Sequence, residues 1–147
     1  MVSTAAQLSR QIGPLRRAVL RSTRAAGGLP DLPEAQIEAL RTLADAEFMT
    51  PGELAGRLRL ARSTVSNLVR SLLEAGLVER SDGADLRTVH LAASGQARTL
   101  LAGYDEVSER VLSRALAELD PADRRAISAA VPAIARLTAA VDLTATT

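Results

Sequence analysis

Apolar residues recur every three or four positions through most of the chain, which predicts α-helices that each have one buried face. The predicted helices cover residues 3–26, 33–47, 51–57, 61–76, 94–119 and 120–142, and we expect the tail at 143–147 to fray. Residues 77–80 and 88–91 alternate apolar and polar side chains around a turn-rich segment, which predicts a β-hairpin. The pattern therefore predicts a mainly α fold with one small β-hairpin.

Proline and capping residues refine the ends of these helices. Thr50 and Glu53 have the spacing of a capping box, with Pro51 at the first helical position. Pro14 and Pro132 interrupt the first and last helices. Because proline lacks an amide donor and crowds the preceding turn, we expect a bend near each, or a first helix that becomes regular only near Pro14.

The fourth predicted helix, residues 61–76, has two different faces. Its apolar positions would face a core: Val65, Leu68, Val69 and Leu72. Its other side carries side chains that donate hydrogen bonds: Arg62, Ser63, Thr64, Ser66, Asn67 and Arg70. No Asp or Glu occurs from residue 54 to residue 73. Such a face suits polyanionic DNA, although a solvated helix with an accidental charge bias gives the same pattern.

The neighbouring elements favour DNA. Two short helices separated by a few residues, the second of them polar and basic, form a helix-turn-helix, and the hairpin directly behind them completes a winged helix. Ser63 and Thr64 suit phosphate anchoring, or one of them only caps the helix. Asn67 can read adenine and Arg70 guanine, unless Arg70 binds only phosphate. We also expect Arg57 and Arg59 to lie beside the DNA backbone.

The first, fifth and sixth helices carry more apolar surface than a small winged helix can cover. They form either a cap folded onto their own chain or a layer shared by two subunits. We favour the shared layer, because DNA readers of this kind commonly pair on two half-sites. The predicted organisation is a helical dimerisation region at residues 1–30 and 94–147, with a winged helix-turn-helix DNA-binding domain at residues 31–93.

Composition narrows the chemistry. The chain has 147 residues, is 47% hydrophobic and has a net charge of +1, an ordinary composition for a globular protein of one domain or two small ones. The absence of cysteine excludes disulfides and thiolate metal sites. His90 is the only histidine, which leaves no metal-ligand cluster and no catalytic arrangement, so we predict neither an enzyme nor a metal or cofactor site. No apolar run approaches the length of a membrane span, and we expect a cytoplasmic protein.

Residues 50–80, TPGELAGRLRLARSTVSNLVRSLLEAGLVER, resemble the helix-turn-helix and first wing strand of the MarR family, the multiple-antibiotic-resistance regulators. The order of helices and hairpin is also similar to that family. The resemblance implies a homodimer held by the terminal helices, a recognition helix in the major groove of a palindromic operator, and a wing in the minor groove. It also implies a repressor or activator that is often released by a small aromatic or anionic ligand.

Three departures from the family pattern affect the predicted site. Where the wing usually has two arginines after an aspartate, this chain has Leu86 and then Arg87, which we predict to be the minor-groove residue. Ala61 stands where the family often has serine, which removes one cap or phosphate contact. Ala92 follows Leu91 where the family often has threonine.

The sequence also offers residues for an effector pocket. Phe48 and Tyr104 could line a pocket between the DNA-binding and dimerisation parts, and Arg16 or Arg17 could meet an anionic ligand; core packing and surface exposure explain these residues as well. The sequence thus predicts a homodimeric repressor that binds double-stranded DNA and is released by a small molecule. The alternative is a winged-helix module that binds protein without sequence-specific DNA binding.

Overall fold

The computed structural model describes residues 1–83, 85 and 87–144, so Leu86 and the tail at 145–147 lie outside the described residues. Within them the chain forms, in order, α1 (Thr4–Gly27), α2 (Glu34–Ala44), α3 (Pro51–Leu58), α4 (Arg62–Glu74), β1 (Val78–Asp82), β2 (Val89–Ala93), α5 (Gly95–Ala117) and α6 (Pro121–Thr144). The predicted mainly α fold with a two-stranded wing is confirmed.

Most helix ends follow from capping chemistry. The Ser3 hydroxyl accepts from the amide of the first turn of α1, and Gly28 ends that helix with a φ of 56°. Ser94 caps α5, because its hydroxyl accepts the Ala97 amide at 3.1 Å. Asp120 caps α6 in the same way through its carboxylate. These side chains satisfy amides that have no partner within their own helices.

Some sequence expectations need correction. Helix α1 runs through Pro14, so a regular helix that starts only near that residue is wrong. Pro14 removes one internal hydrogen bond, but it lies on an exposed side where water can satisfy the freed carbonyl. Helix α2 ends at Ala44 rather than residue 47, because the chain leaves the helix to bring Met49 against the hairpin.

The hairpin is anchored at its base by a third segment. Strands β1 and β2 pair antiparallel, with Val78 opposite Ala93 and Asp82 opposite Val89. On the other side of β2, Met49 forms a bridge with Leu91: the Met49 amide donates to the Leu91 carbonyl at 2.8 Å and the Leu91 amide donates back at 2.7 Å. The wing is therefore joined to the segment that leads into α3.

The contacts divide the chain into two compact units, and the first covers Met1–Ser108. Its core is aliphatic, built from α2, α3, α4, the hairpin and the first turns of α5. The most deeply buried large side chains are each less than 2% exposed: Leu40, Leu43, Leu54, Val65, Leu72 and Leu91. This core fixes the apolar side of α4 and so leaves its polar side facing outward.

The second unit begins at Glu109 and contains the end of α5 and all of α6. Helix α6 buries none of its described residues. Its apolar side chains are 41–57% exposed and form one stripe along the helix: Ile127, Val131, Ile134, Leu137 and Val141. This is a large apolar surface for a chain in water.

Helix α6 also corrects the expectation about membrane spans. By length and composition alone it is apolar enough to cross a membrane, with a mean hydropathy of 1.5 over 18 residues. The alanines between the stripe residues raise this mean hydropathy, although they are not part of the stripe itself. One such helix is weak evidence for a membrane, because helices that pack against protein pass the same criteria.

Candidate nucleic-acid interface

Helix α3 begins with both halves of its capping box in place. The Glu53 amide donates to the Thr50 hydroxyl at 3.2 Å, and the Thr50 amide donates to the Glu53 carboxylate at 2.9 Å. At the other end, Arg59 takes a left-handed conformation with a φ of 54°, and its amide reaches the carbonyls of Ala55 and Gly56. This conformation costs a non-glycine residue about 1 kcal/mol, and it turns the chain sharply into α4.

Helix α4 presents its polar side to solvent. Its apolar residues Val65, Val69 and Leu72 are buried in the core. Every predicted DNA-contacting residue of the helix is exposed: Arg62, Ser63, Thr64, Ser66, Asn67 and Arg70. Asn67 and Arg70 lie side by side, with Arg70 Nη1 3.5 Å from Asn67 Oδ1. The amide and the guanidinium are thus presented together near the middle of the exposed surface.

The first turn of α4 has no side-chain cap. The N-cap residue is Ala61, which has no hydroxyl to accept an amide hydrogen. Ser63 and Thr64 lie inside the helix, so neither is its N-cap residue. The amides of this turn have no acceptor within the helix, and the helix end carries partial positive charge. These amides, with the two hydroxyls, can bind an anionic oxygen such as that of phosphate.

Three exposed arginines surround the junction between α3 and α4: Arg57, Arg59 and Arg62. The Arg62 side chain lies over the start of α3, because a methyl group placed on Gly52 would come within 3.0 Å of Arg62 Nη2. Its positive charge is therefore close to the N-terminal end of α3 as well as to the start of α4. Guanidinium groups in this position can pair with phosphate through two hydrogen bonds.

A groove of about 300 Å³ separates α4 from the wing. Its polar lining is Ser66, Arg70 and Arg80, over apolar side chains that include Val69 and Leu91. Arg80 was not among the predicted contacts. The alternation along β1 could have identified it, because Arg80 lies two residues after buried Val78 and therefore on the same side of the strand. The described lining of this groove contains no acid.

Arg87 lies at the wing tip, where acidic residues are close to it in the hairpin. The Arg87 amide donates to the Asp85 carboxylate at 3.2 Å, and the Thr88 amide donates to the Asp85 carbonyl at 2.9 Å. The Arg87 side chain is exposed, as predicted. Glu79 and Asp82 lie on β1 and are also exposed. The wing therefore attracts phosphate less strongly than α4 does.

Comparisons with known proteins bear on this arrangement. Residues 32–89, which contain α2, α3, α4 and β1, match the model of the MarR family. Residues 32–89 are therefore a MarR-family domain. A comparison with curated proteins found no match.

Solved structures resemble this chain over most of its length. A putative transcriptional regulator from Pseudomonas aeruginosa is 26% identical, with a TM-score of 0.76 over 94% of this chain and 98% of that one. FabT of Streptococcus pneumoniae, solved in complex with DNA, is 13% identical, with a TM-score of 0.70 over 95% and 99%. A Staphylococcus aureus MepR mutant bound to an oligodeoxyribonucleotide is 18% identical, with a TM-score of 0.66 over 93% and 99%. The two DNA-bound structures share the fold of this chain.

Two of the predicted ligand-binding residues line the same cavity. Arg16 and Tyr104 both line a space of about 330 Å³ among α1, α2 and α5, whereas Arg17 is not part of its lining. The Tyr104 ring is buried, and its hydroxyl donates to the Pro30 carbonyl. Arg16 forms an ion pair with Glu34 at the edge of the cavity.

Phe48 lies elsewhere. Its ring stacks on His90 of β2, with the ring centroids 4.1 Å apart and the planes inclined by 14°. Phe48 is 49% exposed, so it packs beside the wing rather than in the cavity that contains Arg16. His90 therefore contacts an aromatic ring, and the described residues contain no cluster of potential metal ligands.

Proposed function

We propose that this chain is a sequence-specific regulator of transcription that inserts α4 into the major groove of double-stranded DNA. The observation that carries the proposal is the exposed polar side of α4, which bears arginine, asparagine and hydroxyl side chains and no acid before Glu74, the last residue of the helix. The MarR-family domain makes the chain a DNA-binding transcriptional regulator. The residue assignments, the dimer and the effector described below are our proposals.

The proposed DNA-contacting residues divide into those that contact base edges and those that contact the backbone. Asn67 and Arg70 have the geometry to pair with base edges, adenine and guanine respectively. The backbone phosphates are held by the helix N-terminus and the side chains around it: Arg57, Arg59, Arg62, Ser63 and Thr64. Arg87 reaches the minor groove from the wing. Base contacts give sequence preference, whereas the phosphate contacts fix the position of the protein on the duplex.

Selection of binding sites from random double-stranded DNA tests this proposal. The full chain should enrich a sequence that it then binds in an anisotropy titration about a thousandfold or more tightly than unrelated DNA. The affinity should fall as salt rises, because bound phosphates release counterions. If no sequence is enriched and binding is weak at every salt concentration, the chain is a winged-helix module for protein partners, which is the alternative function.

A homodimer accounts for the exposed apolar residues of the terminal helices. In addition to the stripe on α6, Leu8, Ile12 and Leu15 on α1 are exposed. Water-exposed apolar area of this extent favours a protein partner, and a second copy of the chain offers the same surfaces by symmetry. Two copies of α4 would then read a palindromic operator. Such a protein acts in the cytoplasm, and the proposal includes no catalysis.

A matched pair of variants tests the dimer. Val131→Asp places a charge in the α6 stripe, whereas Ala129→Asp places the same charge two residues earlier, on the opposite side of the helix. Light scattering coupled to size exclusion should find the Val131→Asp variant monomeric and Ala129→Asp dimeric. A monomeric parent protein, or a dimer that survives Val131→Asp unchanged, would refute the proposed interface.

We further propose that a small molecule in the cavity beside Arg16 and Tyr104 controls DNA binding, so that the chain acts as a repressor released by its ligand. The cavity is formed by α1, α2 and α5, and α2 packs directly on α3 and α4. A change in the position of α2 therefore reaches the recognition helix through packed side chains. Screening for compounds that raise the dissociation constant for the selected operator tests this step.

A further inference from the structure

One of the residues that line the cavity beside Arg16 has a buried polar atom without a partner among the described residues. Thr23 lies in the last two turns of α1 and is only 3% exposed. Its hydroxyl oxygen has no hydrogen-bond partner among the described residues. Buried hydroxyls are almost always hydrogen-bonded, because leaving one unpaired costs free energy. An unpaired hydroxyl in the wall of a cavity is therefore available to a ligand.

Apart from the half-buried hydroxyl of Ser108, the other groups that line this cavity are apolar or already paired. Val19, Leu20 and Ile37 supply apolar walls. Tyr104 contributes its ring, but its hydroxyl already donates to the Pro30 carbonyl. A ligand in this space consequently needs an apolar body and one polar group that can reach Thr23.

The charges at the edge of the cavity cancel. Arg16 pairs with Glu34, and Arg41 donates to the Asp105 carboxylate at 2.7 Å. Two positive and two negative groups leave no net charge, and Glu38 adds a further acid to the adjoining surface. Because each arginine already has a carboxylate partner, a bound anion would have to compete with that partner for it. The edge thus offers an anion no net electrostatic attraction.

We propose that the ligand of this cavity is an uncharged molecule with an apolar body and one polar group that hydrogen-bonds to the Thr23 hydroxyl. The proposal rests on the proposed function, since it names the chemical class of the effector. It differs from the anionic ligand suggested by Arg16 alone, because Glu34 neutralises that arginine. A cavity of about 330 Å³ accepts a compact molecule about the size of one substituted aromatic ring.

Three probes of nearly equal shape test the charge: benzamide, benzoate and benzamidinium. Each is titrated into the full-length protein while the amide and methyl signals are followed by nuclear magnetic resonance. Benzamide should bind several-fold more tightly than either charged probe and should shift the Thr23 methyl signal. Equal or tighter binding of benzoate or benzamidinium, or the absence of any shift at Thr23, would overturn the proposal.

Thr23→Val tests the hydrogen bond, because it replaces the hydroxyl by a methyl group of similar size. This variant should bind benzamide about 3- to 10-fold more weakly, whereas Thr23→Ser, which keeps the hydroxyl, should bind it nearly as the parent does. Without a ligand, Thr23→Val should also melt about 3 °C higher, because it removes an unpaired buried hydroxyl. Unchanged benzamide affinity together with an unchanged or lower melting temperature would refute the role of Thr23.

Glu34→Gln provides a matched test of the charge balance. It frees Arg16 from its carboxylate partner, so benzoate should gain several-fold in affinity while benzamide changes little. If benzoate gains nothing, the cancellation of charge does not set the ligand class. DNA binding of the same preparations is measured without any probe. A protein that binds its operator but not benzamide would refute this inference alone, whereas loss of DNA binding in the parent would refute the proposed function.

Discussion

Substitution of Arg70 by alanine gives the sharpest test of the proposed DNA contact. Arg70 is exposed, and its hydrogen bond to Asn67 is at the 3.5 Å limit. Arg70→Ala therefore removes few contacts from the folded chain, and we expect the free energy of unfolding to change by less than about 0.5 kcal/mol. Any larger change in operator affinity then reflects the lost contact with DNA.

The expected loss depends on what Arg70 touches. A guanidinium that pairs with guanine through two hydrogen bonds is worth about 1–3 kcal/mol. A symmetric dimer carries the residue twice, so the loss should be about 1–3 kcal/mol on a half-site and about 2–6 kcal/mol on the full operator, because distant sites are nearly additive. If Arg70 binds only phosphate, the loss should be equal on all sequences, and the salt slope should fall by about 0.9 for each contact.

Fluorescence anisotropy with three duplexes distinguishes these outcomes: the selected operator, one half-site, and an operator with the contacted guanine replaced. Arg98→Ala is the control, because it removes the same charge from α5, where Arg98 donates to the Ala44 carbonyl. The base-reading role predicts that Arg70→Ala no longer discriminates the replaced guanine. Unchanged operator affinity, or an equal loss in Arg98→Ala, would refute the assignment.

Three other substitutions give independent tests. Arg87→Ala should weaken operator binding and flatten its dependence on salt in the same titrations, and an unchanged slope would mean that the wing tip does not touch DNA. Ala61→Ser supplies the missing cap of α4 and should raise the free energy of unfolding by about 0.5–2 kcal/mol in denaturant titrations. If this free energy does not rise, the amides at the start of α4 do not need the added cap. Thr50→Ala breaks the capping box of α3 and should cost about 1 kcal/mol in the same assay, whereas no loss would show that Glu53 is sufficient.

The helices and the exposed polar side of α4 could be predicted from the sequence because their signals are local. The period of apolar residues, the capping box at Thr50 and the alternation in the hairpin each depend on residues close together in the chain. The exposed polar side of α4 follows from the same period once Val65, Val69 and Leu72 are assigned to the core. Local signals were sufficient for this part of the site.

The remaining features depend on residues that are distant in sequence. The bridge between Met49 and Leu91, the stack of Phe48 on His90, and the pairing of Arg16 with Glu34 all join separate elements. No pattern in either partner's own segment specifies them. For this reason Phe48 and Arg16 were expected in one pocket, although the fold separates them.

The bridge between Met49 and Leu91 also bears on how this domain folds. It closes a loop of about 40 residues that contains α3, α4, β1 and the start of β2, and closing such a loop has an entropic cost that the contacts inside it must offset. Helix α4 and the wing should therefore form and melt as one cooperative unit. Native-state hydrogen exchange should then show the Met49 and Leu91 amides opening together with the buried turns of α4.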